Sequence, residues 1–390
     1  MQVFRYRLDP TCRQVANLER LLRFQRELYN FALRERCEAW EQERRPVRYV
    51  DQCRLLAQMR TARPELREFG VCVSRGSLRW VDGAFRNFYA RCQRGEAPGF
   101  PRFKSETRFD SMQWADASGW KLEYDAGRLR LLGIGSVKIR LHRALRGTPK
   151  GVTVTRKGRH WYACIRCVNV EPNILPKTGA DVGIDLGVVN IIATSDGHLE
   201  AGPRFGRRAA ANLAAAQQNL DLKQPGSNRR RRAVERVGTC HRRVHLQRKD
   251  LSHKLSRKLV DAYDLIVIED LKISSMVRAR QARPKPKGTI EKGVGYSKTS
   301  LNRSIQDAGW GVLAGMLVYK AADAGRELRV VSPRFTSQRC AICGHTDAAS
   351  RRTQAVFKCL ACGYEAHADL NAACNILWAG RAQRASARAG

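Results

Sequence analysis

Val182-Gly-Ile-Asp-Leu-Gly187 is the stretch on which the fold turns: a short apolar strand that carries one acid and is bent at its end by a glycine. An ionised carboxylate inside an apolar strand is costly unless it is paired or bound to a metal. That makes Asp185 the first candidate site residue. Ile191 to Thr194 reads as a second strand, and Ser195-Asp196-Gly197 as a hairpin turn, which assigns Asp196 to turn chemistry. Farther out, Glu269 ends another buried-type strand in Leu265-Ile-Val-Ile-Glu-Asp270. Asp369 opens a helix in His367-Ala-Asp-Leu-Asn-Ala-Ala-Cys-Asn-Ile-Leu377. A lone strand acid is more often a turn or ion-pair residue. Three acids converging from two strands and a helix make a hard oxygen site suited to Mg²⁺. Two such ions about 3.5–4 Å apart can activate a water and stabilise the leaving oxygen in phosphodiester hydrolysis. Asp181 and Asp270 are expected to play supporting or structural parts.

The case rests on element order: strand, hairpin, strand, basic helix, strand with Glu, helix, strand, helix with Asp. That order suits an RNase H-like α/β layer. The basic helical stretch between the two acid-bearing strands, residues 204–258, holds sixteen Lys/Arg against three Asp/Glu. Arg229, Arg230, Arg231, Arg232, Arg242 and Arg243 are its candidate phosphate contacts, with a merely solvated face as the competing reading. Leu251, Leu255 and Leu259 recur every four residues and mark its end as an amphipathic helix. Residues 276–300 are rich in Pro, Gly and Lys and read as a mobile basic loop. A helix is expected from about Leu301 to Gly325, then a strand at Leu328–Val331.

Cys340-x₂-Cys343 and Cys359-x₂-Cys362 are separated by fifteen residues, and a glycine follows each pair. This is the spacing of a four-thiolate structural zinc site, closed to substrate. Cys164 and Cys167 also stand three apart, but in an alternating strand, where such residues face opposite ways; they read as packing. His345 and His367 lie near the ribbon, whose shell four cysteines already fill.

The N-terminal half has two textures. Residues 3–8 alternate as a strand ended by Asp9-Pro10, and an arginine-rich helical region runs from Thr11 to about Arg94. Residues beyond Gly95–Pro101 form short alternating strands up to Pro172–Pro176. Aromatics in 80–89 can stack on bases, but packing is the preferred reading.

Lys+Arg number 72 and Asp+Glu 36, a formal charge of +36 over 390 residues. So much like charge calls for a polyanion, either nucleic acid or an anionic membrane surface. At 43% hydrophobic residues the chain can build cores, which excludes wholesale disorder. It has neither a membrane-spanning apolar run nor a signal-peptide core, so a cytoplasmic, nucleoid-associated protein is expected.

Together these residues resemble the TnpB proteins of bacterial transposons, compact RNA-guided nucleases regarded as ancestral to type V CRISPR effectors. Gly183-Ile-Asp-Leu-Gly187, Ile268-Glu-Asp-Leu-Lys272 and Asp369-Leu-Asn-Ala-Ala373 look like the three RuvC motifs. Gly99-Phe-Pro-Arg-Phe-Lys104, Leu28-Tyr-Asn-Phe31, Ser304-Ile-Gln-Asp-Ala-Gly-Trp-Gly311 and Pro333-Arg-Phe-Thr-Ser-Gln338 are also familiar from the family. One departure is His367-Ala368, where the family often has a charged pair. The resemblance implies a multidomain α+β chain. Residues 1–9 and 96–178 would form a wedge β-barrel, and 10–95 an inserted helical recognition domain. Residues 179–335 and 364–380 would form a RuvC-like core, 336–363 a zinc ribbon and 381–390 a tail. It implies Asp185, Glu269 and Asp369 as the catalytic triad for two Mg²⁺ ions, and one structural Zn²⁺. It implies as partners a guide RNA, target double-stranded DNA and its displaced single strand, with a homodimer left open. The expected activity is RNA-guided DNA cleavage beside a short target-adjacent motif. The alternatives are a compact type V CRISPR effector, a guided DNA-binding regulator without cleavage, and a guide-free resolvase-like or transposase activity.

Overall fold

The computed structural model describes residues 1–68, 70–277 and 294–389. They form two compact units, Met1–Glu171 and Pro172–Gly390.

The first unit begins with β1 (Gln2–Asp9), whose Phe4, Tyr6 and Leu8 are buried. Three helices follow: α1 (Cys12–Glu43), α2 (Tyr49–Ala62) and α3 (Val71–Gln93). Thr11 starts α1 with a reciprocal cap. Its side chain accepts the Gln14 N–H (3.3 Å), while Gln14 Oε1 accepts the Thr11 N–H (3.0 Å). Six strands complete the unit: β2 (Ser111–Trp114), β3 (Trp120–Glu123), β4 (Arg128–Leu131), β5 (Gly135–Arg140), β6 (Thr148–Lys157) and β7 (His160–Val168). They join β1 in a seven-stranded sheet of order β2-β6-β7-β1-β5-β4-β3. The sheet curls: Trp114 on one edge strand donates its indole N–H to Leu132 O, just past β4 (3.3 Å). Cys167 is fully buried, as a packing role requires. Trp80 meets Phe109 edge-on, Phe85 and Phe88 both meet Phe100, and Tyr89 stays exposed.

The second unit carries β8 (Asp181–Asp185), β9 (Asn190–Thr194), β10 (Leu199–Ala201), α4 (Phe205–Asp221), α5 (Asn228–Ala262) and β11 (Leu265–Glu269). After these come α6 (Ile273–Met276), α7 (Val294–Ala308), α8 (Trp310–Ala324), β12 (Glu327–Val331), β13 (Val356–Lys358), β14 (Glu365–His367) and α9 (Ala368–Ala389). Five strands form one sheet, β10-β9-β8-β11-β12, with β8, β11 and β12 parallel. Side chains alternate across a strand, so each parallel strand feeds two layers. Ile266 and Ile268 pack with Leu255, Leu259, Leu313 and Leu317 of α5 and α8. Leu265 and Val267 pack with Ile376 of α9 on the opposite face. The unit is thus a mixed α/β layer with helices on both faces.

The expected loop at 276–300 lies for residues 278–293 outside the described residues. Residues 294–300 are not loop but the start of α7. The helix expected from Leu301 to Gly325 is two helices, because Gly309 adopts φ +71° between α7 and α8. An apolar stripe continuous in sequence hid that break. Among the described residues no helix is long and apolar enough to cross a membrane.

One close approach fixes α9. A Cβ on Gly183 would lie 2.2 Å from Ala373 O, and one on Gly380 would lie 2.4 Å from Val267 Cγ2. At Gly183 helix backbone meets sheet backbone directly, and at Gly380 helix backbone meets the Val267 side chain. Gly183→Ala should therefore destabilise the second unit by about 3 kcal/mol, the upper range for overpacking, since its nearest obstacle is backbone. Thermal melting of the purified variant measures this; an unchanged melting temperature contradicts it.

Candidate functional site

Period-two arithmetic explains why the acids meet. Ile184 pairs with Ile268 in the parallel register, so Asp185 and Glu269 come next on neighbouring strands, at the same carboxyl-terminal edge. Both share parity with Gly183 and Val267, which face α9. Asp369 stands in the first turn of α9 and is 8% exposed. The structure brings all three sequence-predicted acids to one end of the sheet, where open α/β layers bind ligands.

Their electrostatics are mutually unfavourable. Burial pushes Asp185 up to about 7, the charges of Glu269 and Asp369 add to the rise, and Arg351 opposes it. Burial also raises Glu269, against the Thr336 hydroxyl and Arg351. Three further side chains hold the acids. Thr336 Oγ1 donates to Glu269 Oε1 (2.6 Å). Asn190 Nδ2 donates to Asp369 Oδ2 (3.2 Å), and an Arg351 guanidinium nitrogen lies 3.4 Å from Asp369 Oδ1. Trp310 fixes the turn after Asp185 by donating its indole N–H to Gly187 O (3.0 Å). The sequence reading missed these four. Asn190 and Thr336 sit inside or beside recognised motifs but carry no local signature of their partners. Arg351 lies between the cysteine pairs, where nothing local points to Asp369.

The donor set is hard, anionic and short of positive charge, as a divalent cation site requires. Its three carboxylates are nevertheless not gathered as tightly as the cysteines, whose ligand atoms alone among the described residues all lie within 4.8 Å of one another.

Those cysteines close a four-thiol cluster that can bind zinc. Cys340 Sγ lies 3.7 Å from Cys362 Sγ, and Cys343 Sγ 3.6 Å from Cys359 Sγ. Zn–S bonds of about 2.3 Å in a tetrahedron place sulfurs about 3.8 Å apart. Backbone N–H groups of Cys362 and Ala361 aim at Cys359 and draw its thiol down to about 6. Cys340 and Cys359 pack with Phe357 and Ala368 in a small core of their own. His345 stays out of the cluster and lends its carbonyl to the Cys340 N–H (2.8 Å). His367 is similarly apart: its Nδ1 accepts the Asp369 N–H (3.2 Å) at the start of α9.

The cysteine-bearing segment and α9 are knitted together. Asn371 Nδ2 donates to Arg339 O (2.7 Å) and its Oδ1 accepts the Ala341 N–H (2.9 Å). Asn375 Nδ2 donates to both Thr336 O (2.9 Å) and Arg339 O (2.7 Å).

Of the candidate basic contacts, Arg229, Arg231, Arg232 and Arg243 are exposed on α5. Arg230 instead turns inward and donates to Leu220 O (3.2 Å) and Lys223 O (2.9 Å), closing the α4–α5 connection. Arg242 is half-buried and donates to Thr239 Oγ1 (2.8 Å). Asp181 pairs with Arg381 (3.0 Å) and Asp270 with Lys272 (2.7 Å).

Three family models match the chain. "Probable transposase" covers residues 165–280, "Cas12f1-like, TNB domain" 310–376, and "Helix-turn-helix domain" 1–45. The last range holds β1 and a single long helix, α1, rather than two helices. Among known proteins, "Putative RNA-guided DNA endonuclease InsQ" of Escherichia coli (strain K12) is 30% identical over 387 residues, covering 98% of this chain and 93% of that protein. "Putative RNA-guided DNA endonuclease" of Streptomyces pristinaespiralis is 32% identical over 409 residues, covering 100% and 94%. "CRISPR-associated endodeoxyribonuclease Cas12f1" of Sulfoacidibacillus thermotolerans is 48% identical, but over only 75 residues, 19% of this chain and 18% of that protein.

Proposed function

Since this chain belongs to the TnpB family of transposon-encoded RNA-guided DNA endonucleases, we propose that it cuts double-stranded DNA chosen by a noncoding guide RNA, with Asp185, Glu269 and Asp369 as the catalytic acids. The observation that carries this is the meeting of those three carboxylates at one sheet edge, with Arg351 alone among the described residues set against their charge. The second unit is then the RuvC-like core with its zinc ribbon, and the curled sheet of the first unit the wedge that carries a helical recognition region, residues 10–95. Match lengths favour this reading over a CRISPR effector, because the likenesses to two Cas12f1 proteins span 19% and 47% of the chain and the InsQ likeness 98%.

Asp185, Glu269 and Asp369 would hold divalent cations, Mg²⁺ by their hard oxygen chemistry. By the family resemblance these three carboxylates would hold two such ions. When bound, such ions supply Lewis-acid stabilisation of the scissile phosphate and lower the pKa of water. The chain's own residues set the geometry. Thr336 orients Glu269, Asn190 orients Asp369, and Trp310 holds the turn between Asp185 and Asn190. Arg351 compensates the charge of the acids and would be available to a phosphate oxygen at the same site. The four cysteines would hold one Zn²⁺ that secures the ribbon against α9. Exposed Arg229, Arg231, Arg232 and Arg243 offer phosphate contacts along α5.

The test is purification of the full chain from its native genomic context, sequencing of the RNA that comes with it, and replacement of the guide segment. Plasmid cleavage in Mg²⁺ should follow the replaced guide. Cleavage without RNA would instead favour a guide-free nuclease, and guided binding without nicking a regulator. Asn190→Ala should slow cleavage about 10- to 100-fold with target binding unchanged, the usual cost of losing a group that orients a metal ligand. Single-turnover rates and filter binding separate the two effects.

A further inference from the structure

Two exposed aromatic side chains flank the segment that holds Glu269, and the carboxylate centre uses neither. Phe335 precedes Thr336, the residue that donates to Glu269. Its backbone lies at φ +65°, a region an aromatic residue enters only under constraint, yet the residue is 48% exposed. The Arg334 guanidinium lies 4.8 Å from that ring's centroid. Arg339 repeats the arrangement 3.9 Å over Trp378, which remains 55% exposed on α9, the helix of Asp369. Among the described residues neither arginine is paired with an acid. Asn375, three residues before Trp378, ties the two together through Thr336 O and Arg339 O. Both aromatics therefore ride on the framework that places two of the three acids.

Packing does not explain a strained, half-exposed phenylalanine, nor a tryptophan left open beside a guanidinium. A flat apolar face beside an unpaired cation matches one ligand chemistry well: a nucleobase for the ring and its phosphate for the guanidinium. Bases within a duplex cover one another's faces, so only an unpaired strand offers them. We propose that Arg334–Phe335 and Arg339–Trp378 form a stacking platform for unpaired nucleobases of the DNA strand delivered to Asp185, Glu269 and Asp369. This rests on the endonuclease reading, in which a displaced single strand is already expected, and adds the aromatic surface that would receive its bases.

The test uses the full chain with its guide RNA, made inert by Asp185→Asn, and a dodecathymidylate not complementary to the guide. A matched oligomer of abasic sugars keeps the phosphates and removes the bases. Fluorescence anisotropy gives the ratio of the two dissociation constants, which isolates base stacking from charge. Stacking contributes about five- to a hundredfold per base. The ratio should be at least about tenfold in the parent, fall severalfold in Trp378→Ala, and be largely kept in Trp378→Phe. Phe335→Gly separates binding from folding, because glycine accepts φ +65° freely. It should melt no lower than the parent while the ratio falls. A ratio unmoved by Trp378→Ala and Phe335→Gly overturns the platform, including in favour of a protein partner for these aromatics. The active chain is assayed in parallel on guided targets. Cleavage with an unmoved ratio sinks only the platform; no cleavage sinks the endonuclease reading on which it rests.

Discussion

Asp185→Ala is expected to abolish guided DNA cleavage, a fall of at least about a thousandfold in single-turnover rate, with guide RNA and target DNA still bound. Asp185 ends β8, the middle strand of the five-stranded sheet, one register step past the Ile184–Ile268 pair. Its carboxylate feels both other acids, so it is the group whose removal most changes what a cation meets there. Removing it also relieves repulsion. Asp185→Asn should melt no lower than the parent in chelator, and a few degrees higher if the buried charge is as unfavourable as its surroundings make it. Gain in stability with loss of cutting marks a site built for ligand rather than for fold. Retained cleavage in Asp185→Ala would remove it from the catalytic set.

Cys359→Ser is expected to have the second largest effect. Thiolate loss from a closed four-cysteine site removes a metal whose binding contributes about 10–16 kcal/mol in small zinc modules. The ribbon's own core is only Cys340, Phe357, Cys359 and Ala368, with Tyr364 packed beside it, too little to hold shape alone. Zinc per chain, read by atomic emission, should fall from one to near zero. Cleavage should fall at least about a hundredfold, because Arg339 and Ala341 hold α9 through Asn371, and Arg351 reaches Asp369 from the same ribbon. Guide RNA binding should survive, as the basic face of α5 lies outside the ribbon. A variant that lost zinc but cut at parental rate would detach the ribbon from catalysis.

Chemistry that is local in sequence was legible; chemistry made by long-range contact was not. Asp185 and Glu269 betrayed themselves as acids in apolar strands, and the cysteines by spacing that no packing pattern produces. Thr336 and Arg351 gave no such sign, because a threonine after Phe335 and an arginine after Ser350 are ordinary surface residues until folding brings acids to them. Arg230 shows the reverse: a run of four arginines reads as one phosphate-binding face, yet the Arg230 side chain is spent closing the turn before its own helix. The α7–α8 break escaped for a related reason. Apolar periodicity survives a one-residue interruption, so Ile305 and Leu313 kept their stripe across Gly309 although the axis is broken there.

Gly183 and Gly380 leave α9 resting on the sheet as bare backbone on one side and a single valine on the other. Most helices float on a layer of interlocked side chains, and drift as that layer changes volume over generations. This one has a hard stop. The height of Asp369 above Asp185 and Glu269 is therefore set like a gauge against its anvil, insulated from repacking in the core beneath α5 and α8. Sequences of this kind can exchange many core residues without moving their third carboxylate, provided the two positions that carry no bulk are kept.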